Sequence, residues 1–154
     1  MTGLGTGLAP FAPGTFGTLP PAIVYALLLY YSPDWPGRTS ALVAVGVVAA
    51  AITVALGPWA EKYFARKDPG PVVLDEWAGY LLTALLWPAM LKTPILAALC
   101  VFISFRVFDI VKLPPARQLE KIPQGWGVLL DDLASSLYAA AALHAATWAW
   151  SRWM

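Results

Sequence analysis

The chain has 154 residues, 59% of them hydrophobic and only 12% Asp, Glu, Lys or Arg, about half the charged share of an ordinary soluble domain. A mean hydropathy of +0.65 with 8 Trp, 6 Tyr and 6 Phe argues against a water-soluble globular fold, because so small a body needs more polar surface than these residues supply. A formal net charge of +1 without any Lys/Arg-rich run lacks the electrostatic footprint of a nucleic-acid binder, and the single Cys100 excludes a disulfide framework or a multi-cysteine zinc site.

The first residues have no basic region and are broken by Gly and Pro, so no cleavable signal peptide is expected and the N-terminus is retained. Five apolar runs then approach the roughly 20 residues that a helix needs to cross a bilayer. They cover 15–31, 41–60, 72–91, 94–111 and 127–150. The first is short and carries Pro20 and Pro21, so it reads either as a span or as a re-entrant segment. The second continues as helix into the charged stretch Glu61-Lys62-Tyr63-Phe64-Ala65-Arg66-Lys67. Turn chemistry separates the runs at Ser32-Pro33-Asp34-Trp35-Pro36-Gly37, at Asp68-Pro69-Gly70-Pro71 and at Lys92-Thr93-Pro94. No linker is long enough to divide the chain and no internal repeat is visible. The expected fold is all-α: a single domain over 1–154, built as a small polytopic transmembrane helical bundle with four to five membrane segments.

Basic residues in the loops set the orientation. With antiparallel threading, Lys62, Arg66, Lys67, Lys112, Arg117 and Lys121 fall on one side, against Arg38, Lys92 and Arg152 on the other. The first side is expected to be cytoplasmic.

An ionisable residue at the centre of a membrane helix costs about 2.5–3.5 kcal/mol on insertion scales, so such residues face a bundle interior or a wet cavity. Asp75 and Glu76 begin the third run, Arg106, Asp109 and Lys112 end the fourth, and Asp131 and Asp132 begin the fifth. The same threading brings all of them to the cytoplasmic level, together with Gly14-Thr15-Phe16-Gly17-Thr18. Five carboxylates against two cations leave an excess of three negative charges. Either several carboxylates hold protons, as in a relay, or a hard divalent cation sits among them. Carboxylates with an Arg fork and a Lys at headgroup level point to a phosphorylated lipid. Spacing supports shared faces: Arg106, Asp109 and Lys112 are three apart, Asp131 is four before Ser135, and Asp132 is four before Ser136. Gly79, four after Asp75, leaves room for a close helix or a ligand.

Three motifs in this order resemble those of the bacterial phosphatidylglycerophosphatase A family. They are Pro13-Gly14-Thr15-Phe16-Gly17-Thr18, then Asp68 through Leu74-Asp75-Glu76-Trp77-Ala78-Gly79, then Phe105-Arg106-Val107-Phe108-Asp109-Ile110-Val111-Lys112 followed by Gly125-Trp126-Gly127 and Asp131-Asp132. The resemblance runs from about residue 7 to 136. Departures are Lys112-Leu113-Pro114-Pro115 where the family has Lys-Pro-x-Pro, Glu120 for an Asp, a shorter connection to Gly125, and Ser136 where a Gly follows the acidic pair. The resemblance implies a phosphoric monoester hydrolase of the bacterial inner membrane that converts phosphatidylglycerophosphate to phosphatidylglycerol with Mg²⁺. On that reading Asp75, Glu76, Asp109, Asp131 and Asp132 hold the metal and carry catalysis, Arg106 and Lys112 bind the phosphate, and Thr15 and Thr18 contribute hydroxyl or backbone contacts.

Other readings compete. Cys100 to Arg106 fits C-x5-R, but the intervening residues lack the glycines of a phosphate loop, and helical amides are already bonded. His144 lies three turns beyond Asp132, toward the opposite end, and is expected to be packed. Trp87, Trp148, Trp150 and Trp153 read as an interfacial aromatic belt. A proton or cation transporter subunit would spread ionisable residues through the membrane depth, whereas here they gather at one level. A phosphatase for another lipid or polyprenyl phosphate shares every feature above.

Overall fold

The computed structural model describes residues 1–31, 36–87 and 93–153. The expected turn at Ser32–Trp35, the last part of the third apolar run (88–91) and the cationic Lys92 lie outside the described residues. Among those described the regular structure is entirely helical, as the composition requires. A 3₁₀ turn at Thr6–Leu8 precedes α1 (Pro13–Gly17), α2 (Leu19–Tyr31), α3 (Gly37–Phe64), α4 (Leu74–Leu86), α5 (Pro94–Val111), α6 (Ala116–Leu119) and α7 (Gly125–Trp153).

Local chemistry sets the helix ends. Helix α3 runs through the apolar stretch into Glu61 and Lys62, as expected, and stops where Ala65 turns left-handed at φ 52°. Helix α4 opens with Asp75 and Glu76 in its first turn, where carboxylates favour the positive end of the helix dipole. Helix α5 begins on Pro94, whose missing N–H costs nothing at a first turn, and ends as Lys112 enters the left-handed region at φ 48°.

Helix α4 is central, packing against α2, α3, α5 and α7. Its Tyr80, Leu81, Ala84 and Trp87 join Val101 and Phe105 of α5, Tyr25 of α2 and Ala139 of α7 in the main apolar core. Gly79 makes this approach close: a Cβ there would lie 2.6 Å from Phe105 Cζ and 3.2 Å from the Asp132 carbonyl oxygen. Of the two uses expected for Gly79, the structure shows the close helix.

Three expectations need correction. Among the described residues only α3 and α5 are long and apolar enough to cross a membrane, not four or five segments. The first apolar run breaks into α1 and α2, and α2 has 13 residues, as does α4. Thirteen residues rise about 20 Å, short of a hydrocarbon core of about 30 Å. Helix α7 has the length, at 29 residues, but Asp131, Asp132, Ser135, Ser136, His144 and Thr147 dilute its apolar character. Trp87 is the second correction. It is 1% exposed and belongs to the core, while Trp148, Trp150 and Trp153 are exposed. His144 is the third: expected to be packed, it is exposed, with Nε2 2.9 Å from the Leu86 carbonyl oxygen at the end of α4, far along α7 from its acidic pair.

The packing at Gly79 makes a direct prediction. Gly79→Leu forces α4 away from Phe105 and should cost about 1–3 kcal/mol, the usual penalty of overpacking. Thermal unfolding of the purified protein in detergent measures it; an unchanged midpoint would contradict the close three-helix contact.

Candidate active site

The starts of α2, α4 and α7 and the ends of α3 and α5 meet at one end of the bundle, as antiparallel threading requires. A cavity of about 280 Å³ opens there. Its walls come from Pro13 and Gly14 of α1, Asp68 and Gly70 of the loop before α4, Asp75 and Glu76 of α4, Arg106 and Asp109 of α5, Lys112, and Asp131 and Asp132 of α7. All seven charged residues singled out from the sequence at these helix ends therefore line one cavity.

Two cation-centred clusters organise the walls. Arg106 Nη1 lies 3.1 Å from Glu76 Oε1 and 2.6 Å from Asp109 Oδ2. It serves both carboxylates with one nitrogen and leaves its buried Nε without a partner. Lys112 Nζ lies 2.6 Å from Asp131 Oδ2 and 3.2 Å from Glu120 Oε1. Burial alone pulls the Lys112 ammonium down, but its hydrogen bonds to Asp131 and Glu120 and their charges outweigh burial and raise it above an ordinary lysine.

Among the described residues no cation pairs with Asp75 or Asp132, and Asp131 is paired through one oxygen only. Asp75 is 4% exposed, Asp131 1% and Asp132 3%, so water does little to solvate them. Asp75 Oδ1, Asp131 Oδ1 and Asp132 Oδ2 are buried with no hydrogen-bond partner.

Asp68 is the wall residue that the sequence reading passed over. Burial pushes its carboxyl up, against the pull of Lys112. With Asp68 counted, six acidic side chains line the cavity against Arg106 and Lys112, so the excess of negative charge is larger than the sequence suggested. Its signal was present in Asp68-Pro69-Gly70-Pro71, where the turn-forming Pro and Gly drew attention from the acid.

The two threonines are differently placed. Neither Thr15 nor Thr18 lines the cavity. Thr18 is fully buried, and its hydroxyl lies 2.8 Å from the Gly14 carbonyl oxygen and 3.3 Å from Glu76 Oε2. It holds Glu76 from behind. Trp77 Nε1 donates to the Gly17 carbonyl oxygen at 2.8 Å and ties α4 to α1. Gly14 completes this wall: a Cβ there would overlap Glu76 Oε1 and lie 2.8 Å from Arg106 Nη2. Cys100 does not line the cavity and packs beside the apolar core.

The donor set suits a hard divalent cation. Orphaned carboxylate oxygens from α4 and α7 and a surplus of negative charge are what Mg²⁺ neutralises. Among the described residues no three His, Cys, Asp or Glu side chains stand ready as a closed ligand group.

The chain matches the family described as Phosphatidylglycerophosphatase A over residues 1–147. It is 33% identical over 158 residues to a protein of Bacteroides thetaiotaomicron named as a candidate phosphatidylinositol-3-phosphatase, covering 96% of this chain and 91% of that one. It is 33% identical to phosphatidylglycerophosphatase A of Haemophilus influenzae, over 93% of this chain and 83% of the relative. To the Escherichia coli phosphatidylglycerophosphatase A it is 31% identical, over 92% and 78%. No solved structure gives a significant match.

The double engagement of Arg106 is testable without an assay of turnover. Arg106→Met leaves Glu76 and Asp109 side by side with no cation and should destabilise the fold by about 3–5 kcal/mol, the usual cost of breaking a buried ion pair. A thermal midpoint in detergent equal to that of the wild type would contradict the bridge.

Proposed function

The chain belongs to the phosphatidylglycerophosphatase A family of phosphatase enzymes, and from that membership we propose that it removes the terminal phosphate of phosphatidylglycerophosphate to give phosphatidylglycerol and inorganic phosphate. The observation that carries the proposal is the cavity itself. It joins an Arg with a free, buried Nε to three carboxylate oxygens that have no partner.

The chain's own residues divide the work. Glu76 and Asp109 fix the Arg106 guanidinium, which would stabilise charge on the equatorial oxygens of the phosphate. Lys112 keeps one donor beyond its bonds to Asp131 and Glu120 and adds a second positive charge. Asp75 and Asp132, which have no cation beside them, would offer their unpartnered oxygens to Mg²⁺. When bound there, the ion polarises the phosphoryl group and lowers the pKa of water. A water that attacks phosphorus loses its proton to a carboxylate oxygen of this set, the bond from phosphorus to the lipid's alcohol oxygen breaks, and that oxygen takes up a proton to leave as the alcohol. Thr18 acts behind Glu76 as a positioning residue. Cys100, set in α5 away from the cavity, has no part.

A bilayer setting supports the reading. In α3 and α5 only 22% of the most apolar stretch is buried inside the protein, far less than a soluble core helix would bury. Val47, Ile95 and Ile103 are among the side chains left outside. Lys62, Arg66, Lys67, Lys112, Arg117 and Lys121 gather at the cavity end, which makes that end cytoplasmic by the positive-inside rule. The protein then sits in the bacterial inner membrane with its cavity at the level of cytoplasmic headgroups.

The Bacteroides relative favours a second reading, in which the phosphate is carried on a different lipid alcohol. The deciding experiment is phosphate release by the purified full chain from phosphatidylglycerophosphate, phosphatidylinositol 3-phosphate and a polyprenyl phosphate, with Mg²⁺ and with EDTA. Phosphatidylglycerophosphate should turn over fastest, EDTA should abolish the activity and Mg²⁺ should restore it. Asp75→Asn should lose on the order of a hundredfold, comparable to removal of one strong electrostatic stabiliser. Cys100→Ser should stay within about tenfold, a change of about 1.4 kcal/mol in the barrier. Full activity in EDTA, or a dead Cys100→Ser beside an active Asp75→Asn, would reverse the mechanism.

A further inference from the structure

A second cavity, apolar and of about 270 Å³, runs between α2 and α5. It has the section of a trough. Ala22 and Ala98 form a buried floor, 8% and 5% exposed, while Ile23, Leu27 and Leu99 stand at its rims, each about half exposed or more. Small residues lie low and branched residues high along it.

Its position relative to the polar cavity carries the argument. On one wall the polar cavity is bounded by Gly14 and the trough begins at Leu19, only Thr15 through Thr18 lying between them. On the other wall Arg106 lines the polar cavity and Phe102, one helical turn earlier on α5, lines the trough. From that end the trough continues for roughly 10–12 Å along both helices, by the rise from Leu19 to Leu27 and from Phe102 back to Ile95.

A comparable apolar cavity of about 310 Å³ lies between α3 and α4, lined in part by Val47, Ala50 and Leu82. Ala78, which also lines it, packs with Ala49 and Leu129 in a separate apolar cluster, and none of the residues lining this apolar cavity lines the polar one.

We propose that the α2–α5 trough is the seat of one acyl chain of the phosphorylated lipid, holding it so that the headgroup phosphate enters the cavity beside Arg106. This deepens the phosphatase reading and rests on it. In a bilayer the chain is already out of water, so the trough gains little from the hydrophobic effect. Its contribution is orientation, which places the phosphorus against the fixed charges. The trough therefore acts on kcat/KM for substrates with chains and has no hold on a substrate without them.

The experiment compares the full chain, wild type, Ala26→Phe in the trough and Ala50→Phe in the α3–α4 cavity. Each is assayed on long-chain phosphatidylglycerophosphate and on the same headgroup phosphate ester without acyl chains. Ala26→Phe should lose about tenfold or more in kcat/KM on the long-chain lipid and remain within about twofold on the chainless ester, while Ala50→Phe should be near wild type on both. In parallel, a long-chain analogue with a photoreactive diazirine in one acyl chain, applied to unmutated protein, should label α2 and α5 peptides and spare α3, which keeps the test independent of any folding defect. Equal losses on both substrates, no loss with Ala26→Phe, or labelling confined to α3 and α4 would overturn the trough while leaving the phosphatase intact. A wild type inactive on both substrates would overturn the phosphatase reading and the trough with it.

Discussion

The structure depends on negative charge that it buries without enough positive charge to match. Six acidic side chains share one cavity with Arg106 and Lys112, and Asp75, Asp131 and Asp132 are almost wholly withdrawn from water. A lone buried carboxylate costs several kcal/mol after relaxation, and like charges in one site add to that cost. On the proposed reading, a cation and a phosphate complete the folded state at this cavity.

The rest of the architecture serves that constraint. Helix α4 occupies the centre of the bundle, so that Asp75 and Glu76 in its first turn are surrounded by α1, α5 and α7. Gly79 lets α5 and α7 close on α4 one turn above the acids. Gly14 lets the N-terminal segment press against the Glu76–Arg106 pair, with Thr18 and the Trp77–Gly17 bond keeping it there. The charged end is thereby held by packing and hydrogen bonds on three sides, while the opposite end carries the exposed Trp148, Trp150 and Trp153. Rigid walls around fixed charges are what electrostatic stabilisation of a phosphoryl transition state requires.

The site was more legible in the sequence than the membrane topology, for physical reasons. In a chain this apolar each ionisable residue is expensive, so the placement of Asp75, Glu76, Arg106, Asp109, Lys112, Asp131 and Asp132 at helix ends was informative without coordinates. Asp68 escaped because it precedes a helix, where an acid is ordinary. The part played by Thr18 escaped because sequence does not show which way a five-residue helix turns its side chains. Hydropathy also misjudged the spans. An apolar window does not reveal that the chain breaks between Gly17 and Leu19, nor that Trp87 turns into the core instead of to an interface.

The central claim is that a divalent cation completes the cavity, and its most direct test is the thermal midpoint of the detergent-solubilised protein as Mg²⁺ is titrated in the presence of the chainless headgroup phosphate ester. A ligand that binds only the folded state stabilises it by about 2.7 kcal/mol at a hundred times its dissociation constant. The account predicts a saturable rise in the midpoint for the wild type and a markedly smaller one for Asp132→Asn. A wild-type midpoint indifferent to Mg²⁺, or a rise of equal size in Asp132→Asn, would contradict it.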